Sequence, residues 1–136
     1  MIARLTVRTM GQGLVEITDA VADEVVRAQV VAGVCTVFIR HTSASLTIQE
    51  NADPSARRDL ERWLRRLVPE GDPDFTHTHE GPDDMPSHIK AALTSTSLSI
   101  PVVDGQLGLG RWQGIYVWEH RTAGSTRECL VHIGGD

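Results

Sequence analysis

The 136-residue sequence has no apolar run long enough to cross a membrane as a helix, and its first residues lack the apolar segment of a secretory signal. Both absences predict a cytoplasmic protein. Aromatic residues make up only 4% of the chain, yet 40% of all residues are hydrophobic, which is ordinary for a folded protein and not for a disordered one. The length predicts a single domain that spans residues 1–136.

Cysteine is scarce, and acidic residues outnumber basic ones. The two cysteines, Cys35 and Cys129, each lie inside an apolar strand-like run, so we expect free thiols in the core rather than a disulfide. The formal net charge of −5 disfavours a nucleic-acid partner, which normally requires a basic face. We therefore expect that the protein binds neither nucleic acid nor a membrane.

The common catalytic signatures are missing as well. The chain has no P-loop, no dinucleotide-binding glycine fingerprint, no CxxC pair and no G-x-S-x-G elbow. Function must therefore be sought in clusters of polar side chains.

Hydrophobic periodicity predicts seven strands and two or three helices. The predicted strands cover residues 2–9, 34–39, the segment around Leu46 and Ile48, 97–103, 107–109, 112–119 and 128–133. The predicted helices start at Thr18, at Pro54 and at Pro86. Because strands and helices do not alternate as βαβ units, we expect an antiparallel α+β fold.

Several element boundaries have sequence signals of their own. Gly33 is expected to stop the first helix, and Asp53 is expected to cap the second, with Pro54 at its first position. Asp104-Gly105 predicts a hairpin turn. The last two strands are expected to form a hairpin through the Ala123-Gly124-Ser125 loop. The predicted apolar stripe of the second helix is Ala56, Leu60, Trp63, Leu64 and Leu67.

The densest polar cluster is the stretch 74–91, DFTHTHEGPDDMPSHIKA. It contains three of the six histidines, His77, His79 and His88, and the acidic residues that follow Phe75 are Glu80, Asp83 and Asp84. Imidazole and carboxylate are usual ligands of divalent metals, and imidazole also serves as a general acid or base near neutral pH. A plain polar surface loop is the alternative.

A second polar cluster begins with His41 at the end of a predicted central strand. Small hydroxyl residues, Thr42, Ser43 and Ser45, follow it, and Asn51 lies shortly beyond them. Hydroxyls and exposed backbone amides at such a place can bind an anion. A Ser–His nucleophile pair is weakly supported, since adjacent strand residues face opposite ways.

Three long segments resemble one known family: HTSASLTIQENADPSARRDLERWLRRLVPEG, HTHEGPDDMPSHIKAAL and SLSIPVVDGQLGLGRWQGIYVWEHR. They are similar to the YjbQ family, whose members are often called secondary thiamine-phosphate synthases. The resemblance covers nearly the whole chain. It implies two packed, mainly antiparallel β-sheets flanked by two or three helices, and a homotrimer. It also implies a weak ability to join a hydroxymethylpyrimidine diphosphate to a thiazole phosphate with loss of pyrophosphate.

The family's polar pattern falls on His41, Asn51, Asp53, His77, His88 and Gln113 in this sequence. From it we predict a site in which three histidines, His41, His77 and His88, are catalytic and hold a divalent metal such as zinc. The predicted outer carboxylates that orient the imidazoles are Glu80, Asp83 and Asp84. The predicted contacts to a small phosphorylated metabolite are Thr42, Ser43, Asn51 and Gln113. We assign Asp53 to helix capping, and His79 is the reserve metal ligand.

Two other functions remain open at this point. One is a trimeric module that binds a metal or metabolite without significant turnover. The other is a metal-assisted hydrolase of a small phosphorylated metabolite. The chain lacks the regularly spaced acidic residues of a dedicated magnesium–diphosphate site, which fits a weak synthase activity better than a specialised one.

Overall fold

The structure is a computed structural model that describes all residues from Met1 to Asp136, and it contains eight strands and three helices. In chain order they are β1 (Ile2–Arg8), β2 (Gly13–Glu16), α1 (Thr18–Ala28), β3 (Gly33–Ile39), β4 (Ala44–Glu50), α2 (Pro54–Leu67), α3 (Asp84–Leu93), β5 (Ser97–Val103), β6 (Gln106–Leu107), β7 (Gln113–Glu119) and β8 (Thr126–Gly135). One sheet has five strands in the order β1-β8-β3-β5-β6, and the other has three in the order β2-β7-β4. All pairings are antiparallel, so the α+β prediction with two packed sheets and flanking helices is confirmed.

The main core is a cluster of sixteen buried residues from the two sheets and α1. Strand alternation explains this arrangement: on β3, Cys35, Val37 and Ile39 are buried while the residues between them are more exposed. Cys35 and Cys129 are both buried free thiols, as predicted, and burial raises the pKa of each to about 11.

The three-stranded sheet is buried on both faces because α2 covers its outer side. On β7, Ile115 and Val117 belong to the main core, whereas Tyr116 and Trp118 form a second cluster with Leu64 of α2 and a residue of β2. The outer face of the five-stranded sheet lacks such a cover. The exposed large apolar side chains on its strands are Ile2, Val34, Phe38 and Val103.

The second helix begins as predicted. Asp53 precedes its first residue and accepts a hydrogen bond from the backbone N–H of Ser55 at 2.9 Å. The predicted apolar stripe is too wide, since only Leu64 is buried and Trp63 and Leu67 are 52% and 51% exposed. The helix therefore rests on the sheet along a narrow line. No helix in the structure combines the length and the apolar character that spanning a membrane would require.

The structure differs from the sequence-based prediction at three places. The first helix ends at Ala28, with Gln29 in the left-handed conformation, and Gly33 instead begins β3. The short strand β2 was not predicted, because four residues next to two glycines carry too little periodicity. The predicted final hairpin is wrong: β7 pairs with β2 and β4, and β8 pairs with β1 and β3. The segment between β7 and β8 carries the chain from one sheet to the other instead of closing a tight turn.

Candidate functional site

The third helix places one carboxylate and one imidazole on the same face. It begins at Asp84, two residues before the predicted start at Pro86, and proline is tolerated within the first turn. Asp84 and His88 are therefore four residues apart on a helix, a spacing that brings side chains together. Asp84 Oδ2 lies 3.0 Å from His88 Nε2.

The loop before the helix folds back and brings a second imidazole to the same oxygen atom. His77 Nε2 lies 2.7 Å from Asp84 Oδ2, and the ring centroids of His77 and His88 are 5.5 Å apart. Gly81 makes the reversal with φ of +106°, a conformation that favours glycine. One potential ligand atom from each of His77, Asp84 and His88 lies within 4.8 Å of the others, so this group could hold a metal ion.

The other ring nitrogen of His88 decides what Nε2 can do. His88 Nδ1 lies 2.8 Å from the carbonyl oxygen of Thr42, and a carbonyl can only accept, so Nδ1 carries a proton. In a neutral imidazole Nε2 is then a lone pair, and it faces a carboxylate oxygen that is also an acceptor. Two acceptors at 3.0 Å require a proton or a metal cation between or beside them. A backbone carbonyl that holds the outer N–H of an imidazole is also a common feature of metal-binding histidines.

The carboxylate is held from its opposite side by Arg121. Arg121 Nη1 donates to Asp84 Oδ1 at 2.8 Å, which leaves Oδ2 to the two histidines. Asp84 is 4% exposed. Burial acts to raise the pKa of Asp84, but hydrogen bonds with His77 and His88 and the charge of Arg121 outweigh it, so the pKa lies below its ordinary value. Asp84 is therefore ionised at neutral pH and can act as an oxygen ligand.

The other two acidic residues predicted to orient the imidazoles contact Arg121 instead. Asp83 Oδ2 accepts from Arg121 Nε at 2.9 Å and from the backbone N–H of Thr122 at 2.8 Å. The bond from Arg121, outweighing the effect of burial, helps to lower the pKa of Asp83. Glu80 contributes its backbone carbonyl, which accepts from Arg121 Nη2 at 2.9 Å. Only Asp84 of the three touches an imidazole, and it does so as a potential ligand.

The structure does not bring His41 to this group, which corrects the predicted set of three histidines. His41 Nε2 accepts a hydrogen bond from the backbone N–H of Glu128 at 2.9 Å. The ring thus fastens the end of β3 to β8, and its Nε2 lone pair is already used. Burial, followed by the charge of Arg127, lowers the pKa of His41, which favours this neutral form. His79 is exposed and makes no side-chain hydrogen bond.

The four predicted substrate contacts lie at two ends of the three-stranded sheet. Thr42 and Ser43 precede β4 next to the histidine pair, and the Ser43 hydroxyl accepts from Arg127 Nη2 at 2.9 Å. Asn51 follows β4 and donates to Glu16, while Gln113 starts β7 and accepts from the backbone N–H of Gly110. Six residue steps along β4 separate the two ends by about 20 Å. Asn51 and Gln113 therefore do not join the histidines within one chain.

A buried polar network supports the sheet end below the site. Glu119, which is fully buried, receives hydrogen bonds from Thr9 Oγ1 at 2.6 Å and Arg127 Nε at 2.8 Å. His120 lies 2.9 Å from the Ser45 hydroxyl through Nε2, and burial, then the nearby charge of Lys90, lowers its pKa to about 3. His120 is therefore neutral at physiological pH, and its ring is buried with Nε2 at the Ser45 hydroxyl, apart from the group of His77, Asp84 and His88.

The donor set is chemically suited to a divalent metal ion. Two imidazole nitrogens and one carboxylate oxygen are the ligands of many catalytic zinc sites, which leave a further position open. Ligands about 2.1 Å from one ion in tetrahedral geometry lie about 3.4 Å apart, so the imidazole nitrogens, now 2.7 and 3.0 Å from Asp84 Oδ2, would move slightly away from that oxygen on binding an ion. The side chain of His77 is 51% exposed, so the open position would face solvent.

Sequence reasoning missed two features of this group. The direct role of Asp84 could have been found from its spacing to His88, because a carboxylate and an imidazole four residues apart share one helix face. Arg121 had no comparable signal. A lone arginine after a strand acquires its role only when the loop 77–84 folds against the end of β7.

The sequence and the structure both have clear relatives. Residues 3–136 match the family described as UPF0047 protein YjbQ-like. A UPF0047 protein of Synechocystis sp. is 49% identical over 132 residues, which cover 97% of this chain and 90% of the relative. UPF0047 protein YjbQ of Escherichia coli O157:H7 is 40% identical over 133 residues, covering 97% and 96% of the two chains.

Solved structures of similar chains have the same architecture. An uncharacterized conserved protein of the YjbQ/UPF0047 family from Clostridium acetobutylicum is 34% identical, with a TM-score of 0.89 and coverage of 97% of this chain and 99% of that one. A hypothetical protein from Aeropyrum pernix K1 is 26% identical with a TM-score of 0.91, covering 100% and 99% of the two chains.

Proposed function

This chain belongs to the YjbQ-like UPF0047 family, and we propose that it is a metal-dependent enzyme acting on a small phosphorylated metabolite. Its reaction centre would be His77, Asp84 and His88. The observation that carries the proposal is the convergence of two imidazole nitrogens on one oxygen of a buried carboxylate, while the outer nitrogen of His88 is held by a backbone carbonyl. Zinc is the ion that this donor set favours.

Each residue has a defined task in this proposal. His88, oriented by the Thr42 carbonyl through its Nδ1–H, would present the lone pair of Nε2 to a bound ion. Arg121 fixes Asp84 so that one carboxylate oxygen faces the imidazoles. A bound divalent ion would place positive charge beside a phosphate oxygen of the substrate. It could instead bind a water molecule and lower the pKa of that water. Thr42 and Ser43, at the end of the strand beside His88, are the proposed substrate contacts.

The specific reaction we propose is a weak thiamine-phosphate synthase activity. The thiazole nitrogen would donate its electron pair to the methylene carbon of the pyrimidine diphosphate, and the bond from that carbon to oxygen would break. Pyrophosphate would leave with the bonding electrons, and its developing negative charge is the part of the reaction that a bound divalent ion would stabilise. No other covalent step is required.

Hydrolysis of a phosphate ester is the second candidate. It is favoured by the exposure of His77, which leaves the open side of the group accessible to water. Two histidines and one carboxylate are also the ligand set of several metal-dependent hydrolases. In this reaction water would attack the phosphorus atom, the ester P–O bond would break, and the alcohol would leave with the bonding electrons and take up the proton that the water loses.

We further propose that the protein is a homotrimer assembled through the uncovered face of the five-stranded sheet. Val34 and Phe38 on the central strand β3 are 45% and 43% exposed there, and no helix covers them. Contiguous exposed apolar side chains are typical of interaction surfaces.

A turnover assay on untagged protein tests the proposed enzyme. Protein stripped with a chelator and reloaded with zinc, manganese or magnesium would be supplied with both substrates, and thiamine phosphate and released phosphate would be measured. We expect metal-dependent turnover that is lost in Asp84→Asn and His88→Ala and retained in His79→Ala. Turnover that survives in both His77→Ala and His88→Ala would place the reaction elsewhere. Metal and ligand binding without turnover would identify a binding module instead.

A further inference from the structure

A groove with three arginines lies on a different part of the surface from the histidine pair. It runs between the segment after β1, the start of β2 and the first turns of α2, and its volume is about 590 Å³. Arg8, Arg57 and Arg58 line it, and none of His77, Asp84 and His88 does. Its chemistry is therefore separate from that of the proposed metal site.

The three guanidinium groups have no carboxylate partner. The arginines that form ion pairs in the structure are Arg4, Arg27, Arg40, Arg121 and Arg127. Arg57 contacts an aromatic face instead, with its guanidinium carbon 5.9 Å from the centre of the Tyr116 ring. The pKa of Asp53 is lowered mainly by its hydrogen bond from Ser55 and to a smaller extent by the charge of Arg58, so Arg58 lies near a carboxylate without forming an ion pair with it. In a chain with a net charge of −5, three arginines without ion pairs around one groove are still a local concentration of positive charge.

The one carboxylate in the groove wall is already engaged. Glu61 Oε2 accepts from the backbone N–H of Leu14 at 2.7 Å. Gly13 has φ of +149°, and a Cβ atom there would lie 2.5 Å from the same oxygen, so the start of β2 is pressed against α2 as only glycine allows. The backbone of the groove wall is thus held against α2 at this point, which lowers the entropic cost of ordering it around a ligand.

The arginine groove borders a second groove of about 430 Å³, with which it shares the lining residues Arg8 and Val15. Leu5, Val7 and Ile17 contribute apolar surface to this second part, and Glu16 and Asp19 lie on its wall. The arginines thus line the first part, and apolar and acidic side chains line the second. A ligand with one anionic group would therefore bind with that group in the part lined by arginines.

We infer that this groove is a binding site for a small organic phosphate that carries an apolar group. The planar fork of arginine forms paired hydrogen bonds with phosphate oxygens, and three such groups suit a doubly charged phosphate monoester. The apolar part of the ligand lies along Leu5, Val7 and Val15. This site needs neither the metal nor the turnover proposed above.

Titration calorimetry with phenyl phosphate on chelator-treated wild-type protein tests the inference. The decisive comparison is between two double variants of α2 that remove the same charge. Arg57→Ala with Arg58→Ala removes groove residues, whereas Arg62→Ala with Arg66→Ala removes exposed arginines outside the groove. We expect the groove variant to lose affinity by at least about tenfold and the control by less than about twofold.

Two further results complete the test. Wild-type protein is expected to bind phenyl phosphate more tightly than inorganic phosphate, because only the former covers the apolar surface. Arg8→Ala, on the opposite wall, should weaken binding in the same direction as the groove variant. Equal losses of affinity in both double variants would mean that binding depends on the overall charge of α2 and not on the groove, which would overturn the inference. Absence of phenyl phosphate binding by the wild-type protein would overturn it as well, without affecting the metal site.

Discussion

His88 donates its Nδ1–H to the backbone carbonyl of Thr42 at 2.8 Å, across the gap between α3 and the segment that precedes β4. The bond fixes which nitrogen of the ring faces Asp84 and leaves that nitrogen as a lone pair in the neutral ring. Because the acceptor is a backbone atom, side-chain replacement of Thr42 leaves the acceptor in place. The bond also ties the helix that carries two of the three possible ligands to the sheet.

Arg121 is expected to control metal affinity without being a ligand. Arg121→Met removes the hydrogen bonds that hold Asp84 and Asp83, and it frees Asp84 to turn away from the imidazoles. Loss of such a supporting contact typically weakens metal binding by about 10- to 100-fold. Competition with a chromophoric chelator measures the change. Arg111→Met, which removes an exposed arginine near Trp112, is the control and should bind metal as the wild type does. Equal affinity in the Arg121 and Arg111 variants would contradict the supporting role.

Leu64 should contribute far more to stability than Leu67, although both belong to the predicted stripe of α2. Leu64 is 3% exposed and Leu67 is 51% exposed. We expect Leu64→Ala to lower the free energy of unfolding by about 2–5 kcal/mol, and Leu67→Ala to change it by less than about 0.5 kcal/mol. Urea denaturation of both variants measures the difference. Comparable losses would mean that α2 contacts another surface through Leu67 in solution.

This pair of leucines also shows how far the sequence predicts the structure. Periodicity finds α2, and Asp53 with Pro54 marks its start, because these signals are local. The same periodicity cannot tell which turns of the helix reach the sheet. Which turns of α2 contact the sheet depends on β2, a strand of four residues that is too short to produce a periodic pattern of its own.

In the candidate site, too, the sequence predicts the contacts between residues that are close in the chain and fails for those that are far apart. The sequence identifies His77, His88 and the acidic residues between them, because they lie in one short segment. It misplaces His41, whose Nε2 is used by a backbone N–H of β8, 87 residues away. It misses Arg121 for the same reason, since the partners of Arg121 are about 40 residues away in the chain.

His120 is expected to make the protein less stable as the pH falls below neutrality. Its pKa in the folded state is about 3, below its ordinary value of 6.5, because burial and then the charge of Lys90 disfavour the imidazolium. Between these values the unfolded chain binds a proton that the folded chain does not, so the free energy of unfolding falls as pH decreases. From pH 6.5 to 4.5 this residue alone accounts for a loss of about 2 kcal/mol.

Urea denaturation of the wild type and of His120→Gln across this pH range isolates the effect. The wild type should lose about 2 kcal/mol more than the variant. His41, whose pKa is also lowered, acts with the same sign in both proteins and cancels in the comparison. Parallel pH profiles would contradict a buried neutral His120.

The proposed trimer depends on the uncovered face of the five-stranded sheet. Phe38 is 43% exposed at the centre of that face, on β3. Phe38→Arg adds charge to the apolar surface and is expected to yield monomers in sedimentation equilibrium, whereas Trp63→Arg on the exposed side of α2 should leave the trimer intact. A wild-type mass equal to that of one chain at micromolar concentration would contradict the trimer.

The most direct test of the metal site is the metal content of untagged protein after equilibration with zinc and removal of free ion, measured by elemental analysis. The wild type and His79→Ala are expected to retain one ion per chain. Because His77, Asp84 and His88 would share that ion, His77→Ala, Asp84→Asn and His88→Ala are each expected to retain much less than one, and His41→Ala is expected to match the wild type. Undiminished zinc in both Asp84→Asn and His88→Ala, or no zinc in the wild type, would contradict the account.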